Sequence, residues 1–308
     1  MINLPTFYQP QRVGTLYAPA VDQTVAEGVA AGLTPARDDK RRVVLLLVDP
    51  QVDFIHTDGA LSVPGAVDDT RRTIDWIFEH AGELTGIAAS LDSHTPMQIF
   101  FPTWWVDSAG QHPAPFTVIT SRDVDQGVWQ AIYEPQWSVR YVHALEVDAK
   151  KQLMIWPYHT LMGTVGHGIT PALYEAITFH SAARQTNPAL LTKGAIPKTE
   201  HYSILEPEVK VPGEPQGDLN TKFLDLLNSY DLIYVAGQAK SHCVLETLTS
   251  VALHYQNQPE KLTKWRVLTD CSSSVAHPEI DFDALANQTL RRYAERGLRL
   301  VTSEDPIG

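Results

Sequence analysis

The run Val43-Val44-Leu45-Leu46-Leu47-Val48 contains no polar residue and stops at Asp49-Pro50. Successive side chains of a strand point to opposite faces, so a strand without a polar position has no face to give to water. Such a strand belongs in the middle of a sheet covered on both sides, which is the situation of parallel sheets between helices. Shorter runs of the same kind occur at 86–91, 189–192, 232–236, 266–269 and 298–301. Between most of them lie stretches with helical spacing, at 68–83, 171–179, 218–229, 242–256 and 282–296. This alternation predicts a mainly parallel sheet of about six strands, and right-handed crossovers would place helices on both of its faces. The expected fold is a three-layer α/β/α sandwich with Rossmann-like topology.

Two stretches break the rhythm. Residues 1–41 are rich in Pro, Gly and Ala without sustained periodicity, and are expected to form an extended arm on the body or on a partner subunit. Residues 42–308 then form one enlarged domain. Within it, 103–155 carries many aromatics and prolines, with strand-like pieces at 140–145 and 152–155 around Asp148-Ala149-Lys150. An inserted hairpin with long loops is expected there, of the kind that serves as a lid or an interface.

A hydrophobic share of 44% with 19% charged residues excludes a disordered or fibrous chain. The formal charge of −12 opposes binding to nucleic acid or anionic lipid, whose fields would repel it. No apolar run approaches the roughly 20 residues that span a bilayer, and the N-terminus lacks a basic-then-apolar leader pattern. A cytoplasmic homo-oligomer acting on a small molecule is the expected form. Two cysteines, Cys243 and Cys271, are too few for a disulfide framework or a thiolate zinc site.

In open α/β sheets ligands bind beyond the carboxyl ends of the strands. The reactive groups at those ends are Asp49, Asp92 with His94, Lys193, and Cys243 in the turn after 232–236. Cys243 precedes a helical pattern, where the helix dipole favours a thiolate and backbone N–H groups could hold an oxyanion. Position alone does not decide the matter, since a cysteine in such a turn is more often inert packing. A carboxylate such as Asp49 could take the thiol proton and return it to a leaving amine, and Lys193 could steady the charged pair. Asp92 and His94, two residues apart in an extended segment, point to the same side, and a ligand from a distant loop could complete a metal site with them. Cys271 is expected to be a buried small residue, and His143, His201 and His254 to be surface or packing residues.

Taken together, Val-Asp49-Pro-Gln-Val-Asp53-Phe54, Leu-Asp92-Ser-His94-Thr-Pro, Ile-Trp156-Pro-Tyr-His159, Thr-Lys193-Gly, Glu200-His-Tyr202-Ser and Val-Ala-Gly237-Gln-Ala-Lys-Ser-His-Cys243-Val resemble the nicotinamidases of the isochorismatase-like cysteine hydrolase family. The segments run in the family's order from residue 42 to near the C-terminus, interrupted by 103–155. The resemblance implies a catalytic triad of Asp49, Lys193 and Cys243. It implies an oxyanion hole from the N–H groups of Ala239 and Cys243, with a cis peptide between Gln238 and Ala239. It also implies one divalent ion (Zn, Mn or Fe) on Asp92, His94 and His159, and a substrate ring between Phe54 and Trp156 with Tyr202 beside it. The implied activity is hydrolysis of nicotinamide to nicotinate and ammonia through a thioester, a step of pyridine nucleotide biosynthesis. One departure is Gln98, which stands where many nicotinamidases have a further histidine, so that water or an insertion residue such as His112 or Glu134 would complete the metal shell. Two other readings stay open: a related cysteine hydrolase acting on another amide or a ureido compound, and a binding protein that has kept the fold.

Overall fold

The computed structural model describes residues 4–149 and 151–308. Among these, the strands are β1 (Val43–Val48), β2 (Gly86–Asp92), β3 (Trp105–Val106), β4 (Val118–Ile119), β5 (Gln130–Ala131), β6 (Leu153–Met154), β7 (Ala189–Lys193), β8 (Leu232–Gly237), β9 (Trp265–Leu268) and β10 (Arg299–Val301). The α-helices are α1 (Val21–Ala30), α2 (Val52–Ile55), α3 (Ala66–Glu79), α4 (Ser121–Asp125), α5 (Pro135–Val147), α6 (Pro171–Arg184), α7 (Thr221–Asn228), α8 (Leu245–His254), α9 (Pro259–Leu262) and α10 (Phe282–Ala294). No helix among the described residues is long and apolar enough to cross a membrane.

The central sheet has six strands in the order β10-β9-β8-β1-β2-β7, and every pair in it is parallel. From β1 the chain builds outward through β2 to β7, then returns to the other side of β1 and builds through β8 to β10. The direction of winding therefore reverses between β1 and β8, which opens a crevice at the carboxyl ends of these strands. β1 shows why its sequence carries no polar residue. Val43, Leu45 and Leu47 enter one core with Ile74 and Phe78 of α3 and Leu173 and Ile177 of α6. Val44, Leu46 and Val48 enter the opposite core with Leu224 and Leu227 of α7 and Leu248 and Val251 of α8. Burial of each such side chain contributes about 1.5–3 kcal/mol.

The sandwich, its parallel strands and their boundaries agree with the sequence expectation, and the two irregular stretches do not. Part of 1–41 is helical: α1 packs on α6, and Phe7 and Tyr8 are buried against Phe78 and Phe179. The strand expected at 140–145 is instead the middle of α5. Pro135 starts this helix at a position that needs no amide hydrogen, and Ser138, Tyr141, Val142 and Leu145 form its buried face at helical spacing. The piece expected at 152–155 shortens to β6, which pairs antiparallel with β4. The expected turn at 148–150 lies partly outside the described residues. The inserted region has a core of its own, in which Phe101, Trp104, Trp105, Tyr141 and Leu145 meet Trp156.

Candidate active site

Because β8, β1, β2 and β7 are parallel neighbours, the residues that end them share one edge of the sheet. Asp49 follows β1 in the left-handed region, with φ of 45°. Its N–H donates to Ser90 Oγ at 3.0 Å, and Ser90 Oγ donates in turn to Oδ1 at 2.6 Å. Oδ2 accepts no hydrogen bond and faces Lys193 Nζ at 3.0 Å. Lys193, at the end of β7, also donates to Asp92 Oδ1 at 2.9 Å and to the His201 carbonyl at 2.9 Å, and its Nζ lies 3.7 Å from Cys243 Sγ. Burial alone would lower the pKa of this ammonium, but the Asp49 and Asp92 carboxylates outweigh burial and hold it above its ordinary value.

Cys243 reaches the group through a bend that only glycine permits. Gly237 has φ of +117°, and a Cβ there would lie 2.1 Å from the Val48 carbonyl. The next peptide, Gln238–Ala239, is cis, as the resemblance implies. Residues 240–244 then form a π turn ahead of α8, so Cys243 sits in that turn and not in the α-helix expected from residue 242. Burial pushes its thiol pKa well up; Lys193 pulls it back, and Asp49 and Asp92 push it further up. Burial raises the Asp49 carboxyl as well, against the pull of Lys193. Burial and the two carboxylates thus favour keeping the thiol proton, against the thiolate expected from a helix start, and Lys193 opposes them. The base that would remove that proton, Asp49, stands beside it.

Asp92, His94 and His159 form a buried group whose ligand atoms lie within 4.8 Å of one another. His94 Nδ1 bonds the Gly194 carbonyl at 3.1 Å and His159 Nδ1 the Pro157 carbonyl at 2.8 Å. Each ring is thereby held with Nδ1 on a carbonyl and Nε2 toward Asp92 Oδ2, at 2.8 and 3.7 Å. Burial works against ionisation of Asp92, yet His94 and Lys193 hold its carboxyl well below the usual range. Two oriented imidazoles and a carboxylate oxygen fit a divalent cation. Gly194 has φ of +81°, and a Cβ there would meet Asp92 Oδ1 at 2.6 Å, so this cradle too requires glycine. Gln98 Nε2 donates to the carbonyls of Gly194 and Ile196 at 2.7 and 3.3 Å, while its Oε1 is buried without a hydrogen bond among the described residues. His112 and Glu134 are exposed and stand outside the group, so neither serves as the insertion ligand that the sequence left open.

Phe54, Trp156 and Tyr202 line one cavity of about 480 Å³ together with Cys243, Asp92, His94 and His159. Phe54, from α2, sets its ring against His159 with centroids 5.5 Å apart. Trp156 Nε1 donates to Tyr202 Oη at 2.9 Å and to Glu200 Oε1 at 3.2 Å, and Tyr202 Oη donates to Glu200 Oε1 at 2.5 Å. Tyr141 of α5 donates to Glu200 Oε2 at 3.1 Å, so the inserted region helps to fix this wall. Ala239 lines the cavity, and its N–H donates to no group among the described residues.

Of the candidate residues, Phe54, Asp92, His94, Trp156, His159, Tyr202, Ala239 and Cys243 line the cavity, Asp49 and Lys193 are buried behind it, and His112 and Glu134 stand apart; other lining residues were given no role there in the sequence reading. Glu200 stood in a quoted segment without a role, while His242, Phe100 and Val275 were not considered as part of the wall. His201, expected to be a surface or packing residue, is 6% exposed, lines the cavity, and accepts the Gly194 N–H on Nδ1 at 3.4 Å. Burial, reinforced by Lys193, pulls its pKa down to about 3, so the ring is neutral. The available signal was the pairing of His201 with Glu200 and Tyr202 in one motif. Cys271 is buried as expected, with burial pushing its thiol up to about 12.

No protein-family model matches the sequence, and no curated protein matches it. Solved structures do. Yeast nicotinamidase bound to the inhibitor nicotinaldehyde matches with a TM-score of 0.56 and 17% identity, over 84% of this chain and 99% of that one. A nicotinamidase/pyrazinamidase of Acinetobacter baumanii matches with a TM-score of 0.53 and 16% identity, over 86% and 98%. A protein of L. infantum in complex with nicotinate matches with a TM-score of 0.52 and 19% identity, over 86% and 94%. At such identities the likeness is one of architecture: this chain shares the α/β fold of these nicotinamidase structures across most of its length.

Proposed function

We propose that the chain is a cysteine amidohydrolase that converts a small planar carboxamide, nicotinamide first, to its acid and ammonia. The observation that carries this reading is the meeting of Cys243, Asp49 and Lys193, with Nζ 3.0 Å from the carboxylate and 3.7 Å from the sulfur, where Cys243 lines a cavity walled by aromatic rings. Sγ attacks the amide carbon while its proton passes to Asp49 Oδ2, the oxygen without a hydrogen bond. Lys193 stays charged throughout and compensates the carboxylate and the forming thiolate. The Ala239 and Cys243 N–H groups hold the oxyanion. Asp49 then delivers its proton to the amide nitrogen, the C–N bond breaks, ammonia leaves and a thioester remains. A water that gives its proton to Asp49 attacks the thioester, the C–S bond breaks, and the thiol regains its hydrogen as the acid departs.

Asp92, His94 and His159 would hold a divalent cation, which when bound supplies a Lewis-acidic position for a ring nitrogen. Phe54 and Trp156 would flank the ring, with Tyr202 beside it. The test measures ammonia release from nicotinamide, pyrazinamide, aliphatic amides and a ureido acid, with metal analysis of the same sample. The expected result is turnover of the aromatic carboxamides by protein that carries about one metal ion per chain, and loss of that metal in His159→Ala. Ammonia from the ureido acid alone, or from none of the compounds, would overturn the reading.

A further inference from the structure

His242 precedes Cys243 in the chain, lines the same cavity, and has no part in the acyl-transfer steps above. Three rings hold it edge to face, with centroids 5.4 Å away for Trp156, 5.5 Å for Tyr202 and 5.0 Å for Phe282. Nδ1 lies 2.8 Å from Ser241 Oγ. That oxygen accepts the Val275 N–H at 3.1 Å, and among the described residues Nδ1 is the one acceptor within reach of its hydroxyl hydrogen. With the hydroxyl hydrogen placed on Nδ1, the ring proton of a neutral imidazole sits on Nε2, and we take this tautomer as part of the inference that follows. The ring is neutral because burial, reinforced by Lys151, pulls its pKa down to about 4. Nε2 makes no hydrogen bond among the described residues. The cavity thus presents one N–H donor on a ring that its neighbours keep from turning away, and such a donor discriminates strongly between ligands that do and do not meet it.

We infer that His242 is a specificity-determining residue whose Nε2–H selects aromatic carboxamides with a second hydrogen-bond acceptor, a ring nitrogen or an oxygen substituent, on the edge that faces it. The inference rests on the amidohydrolase reading of the Cys243 site. Three compounds probe the edges in turn, because each replaces one ring C–H of nicotinamide with nitrogen: pyrazinamide, pyrimidine-5-carboxamide and pyridazine-4-carboxamide. The kcat/KM of each, divided by that of nicotinamide, is compared between the wild type and His242→Phe. For one diazine the ratio is expected to fall roughly tenfold, mainly through KM, and to recover in His242→Gln, whose amide restores an N–H donor near the same place. Nitrogen-15 NMR of the histidines should find the His242 proton on Nε2. Unchanged ratios for all three diazines, or a proton on Nδ1, overturn the inference. Should His242→Phe not fold, Ser241→Ala takes its place, since it lets the proton move to Nδ1 and must lower the same ratio. If no carboxamide is hydrolysed, the amidohydrolase reading fails separately. Calorimetric binding of the same four compounds to wild type and His242→Phe then decides the role of His242, and equal affinities refute it.

Discussion

Asp49 and Glu200 are both buried carboxylates beside one cavity, at 0% and 2% exposure, and their surroundings differ in kind. Asp49 stands on the edge of the sheet among ionisable groups: an ammonium at 3.0 Å, a second carboxylate on that same ammonium, and the Cys243 thiol. Glu200 stands among neutral donors, the Tyr202 and Tyr141 hydroxyls and the Trp156 indole, one of them from the inserted region. Burial raises the pKa of both, but only at Asp49 is an oxygen left without a hydrogen bond. The sheet edge therefore holds groups that can exchange a proton, whereas the aromatic wall holds groups whose protons are committed. On the proposed reading, chemistry belongs to the sheet edge and fit to the aromatic wall.

The largest break in that comparison is Cys243→Ala. It should lower ammonia release by at least about 10⁴-fold, with the melting temperature near that of the wild type, because the side chain that replaces the thiol is small and apolar. Retained activity would move the chemistry out of the sheet-edge half. Next in size is Lys193→Met, which leaves Asp49 and Asp92 buried, 2.9–3.0 Å from where their counter-charge stood. Loss of one partner from such a group costs about 3–5 kcal/mol, and chemical denaturation should register it together with the loss of activity. A stability change under about 1 kcal/mol would mean that the ammonium does not compensate these carboxylates.

The same contrast explains how much of the molecule was legible in the sequence. β1 could be read residue by residue because burial on both faces writes an unbroken aliphatic run, and the groups at strand ends could be found because a parallel sheet gathers them at one edge. α1 could not be read, because its buried face is Thr24 and Gly28 while Val21, Val25 and Val29 lie 42%, 39% and 66% exposed. Its apolar period points to solvent. α5 was misread because its buried face includes Ser138, whose hydroxyl accepts the Trp104 indole N–H at 2.9 Å. Without that polar position the apolar residues at 141, 142 and 145 fit a strand nearly as well as a helix. Glu200 and His242 were missed for a related reason: each acts through partners from distant segments, and spacing along the chain carries no trace of them.

A smaller effect should appear where the inserted region meets α8. Lys151 pairs with Glu208 at 2.5 Å and with Glu246, in the first turn of α8, at 2.8 Å. Burial pushes Glu208 from its ordinary 4.5 up to about 7; Lys151 opposes this, while Glu246 and Glu200 add to it. The folded protein therefore binds a proton between those values that the unfolded chain has released. This stability is fully present below pH 4.5 and is lost as the pH rises through about 7, at up to about 1.4 kcal/mol per pH unit. Glu208→Gln should flatten that decline in a series of thermal melts. An equally steep decline in the variant would place the titrating group elsewhere.

The smallest expected change sharpens the comparison most, because it makes the same substitution of a carboxylate by its amide in both halves of the cavity. Glu200→Gln keeps one oxygen for the Tyr202 hydroxyl and the Trp156 indole, and turns its amide nitrogen toward the Tyr141 hydroxyl. That hydroxyl already accepts the Glu200 N–H at 3.0 Å, and has a lone pair left for a second donor. Every hydrogen bond of the wall thus has a neutral replacement, and KM and kcat should each move by no more than about threefold. Asp49→Asn offers no such replacement, since an amide takes no proton from the thiol and faces Lys193 with an uncharged group, so kcat should collapse while the protein still binds the acid product. Comparable losses of kcat in the two variants would show that Glu200 takes part in the reaction, and the division between a reactive edge and a fitting wall would fall.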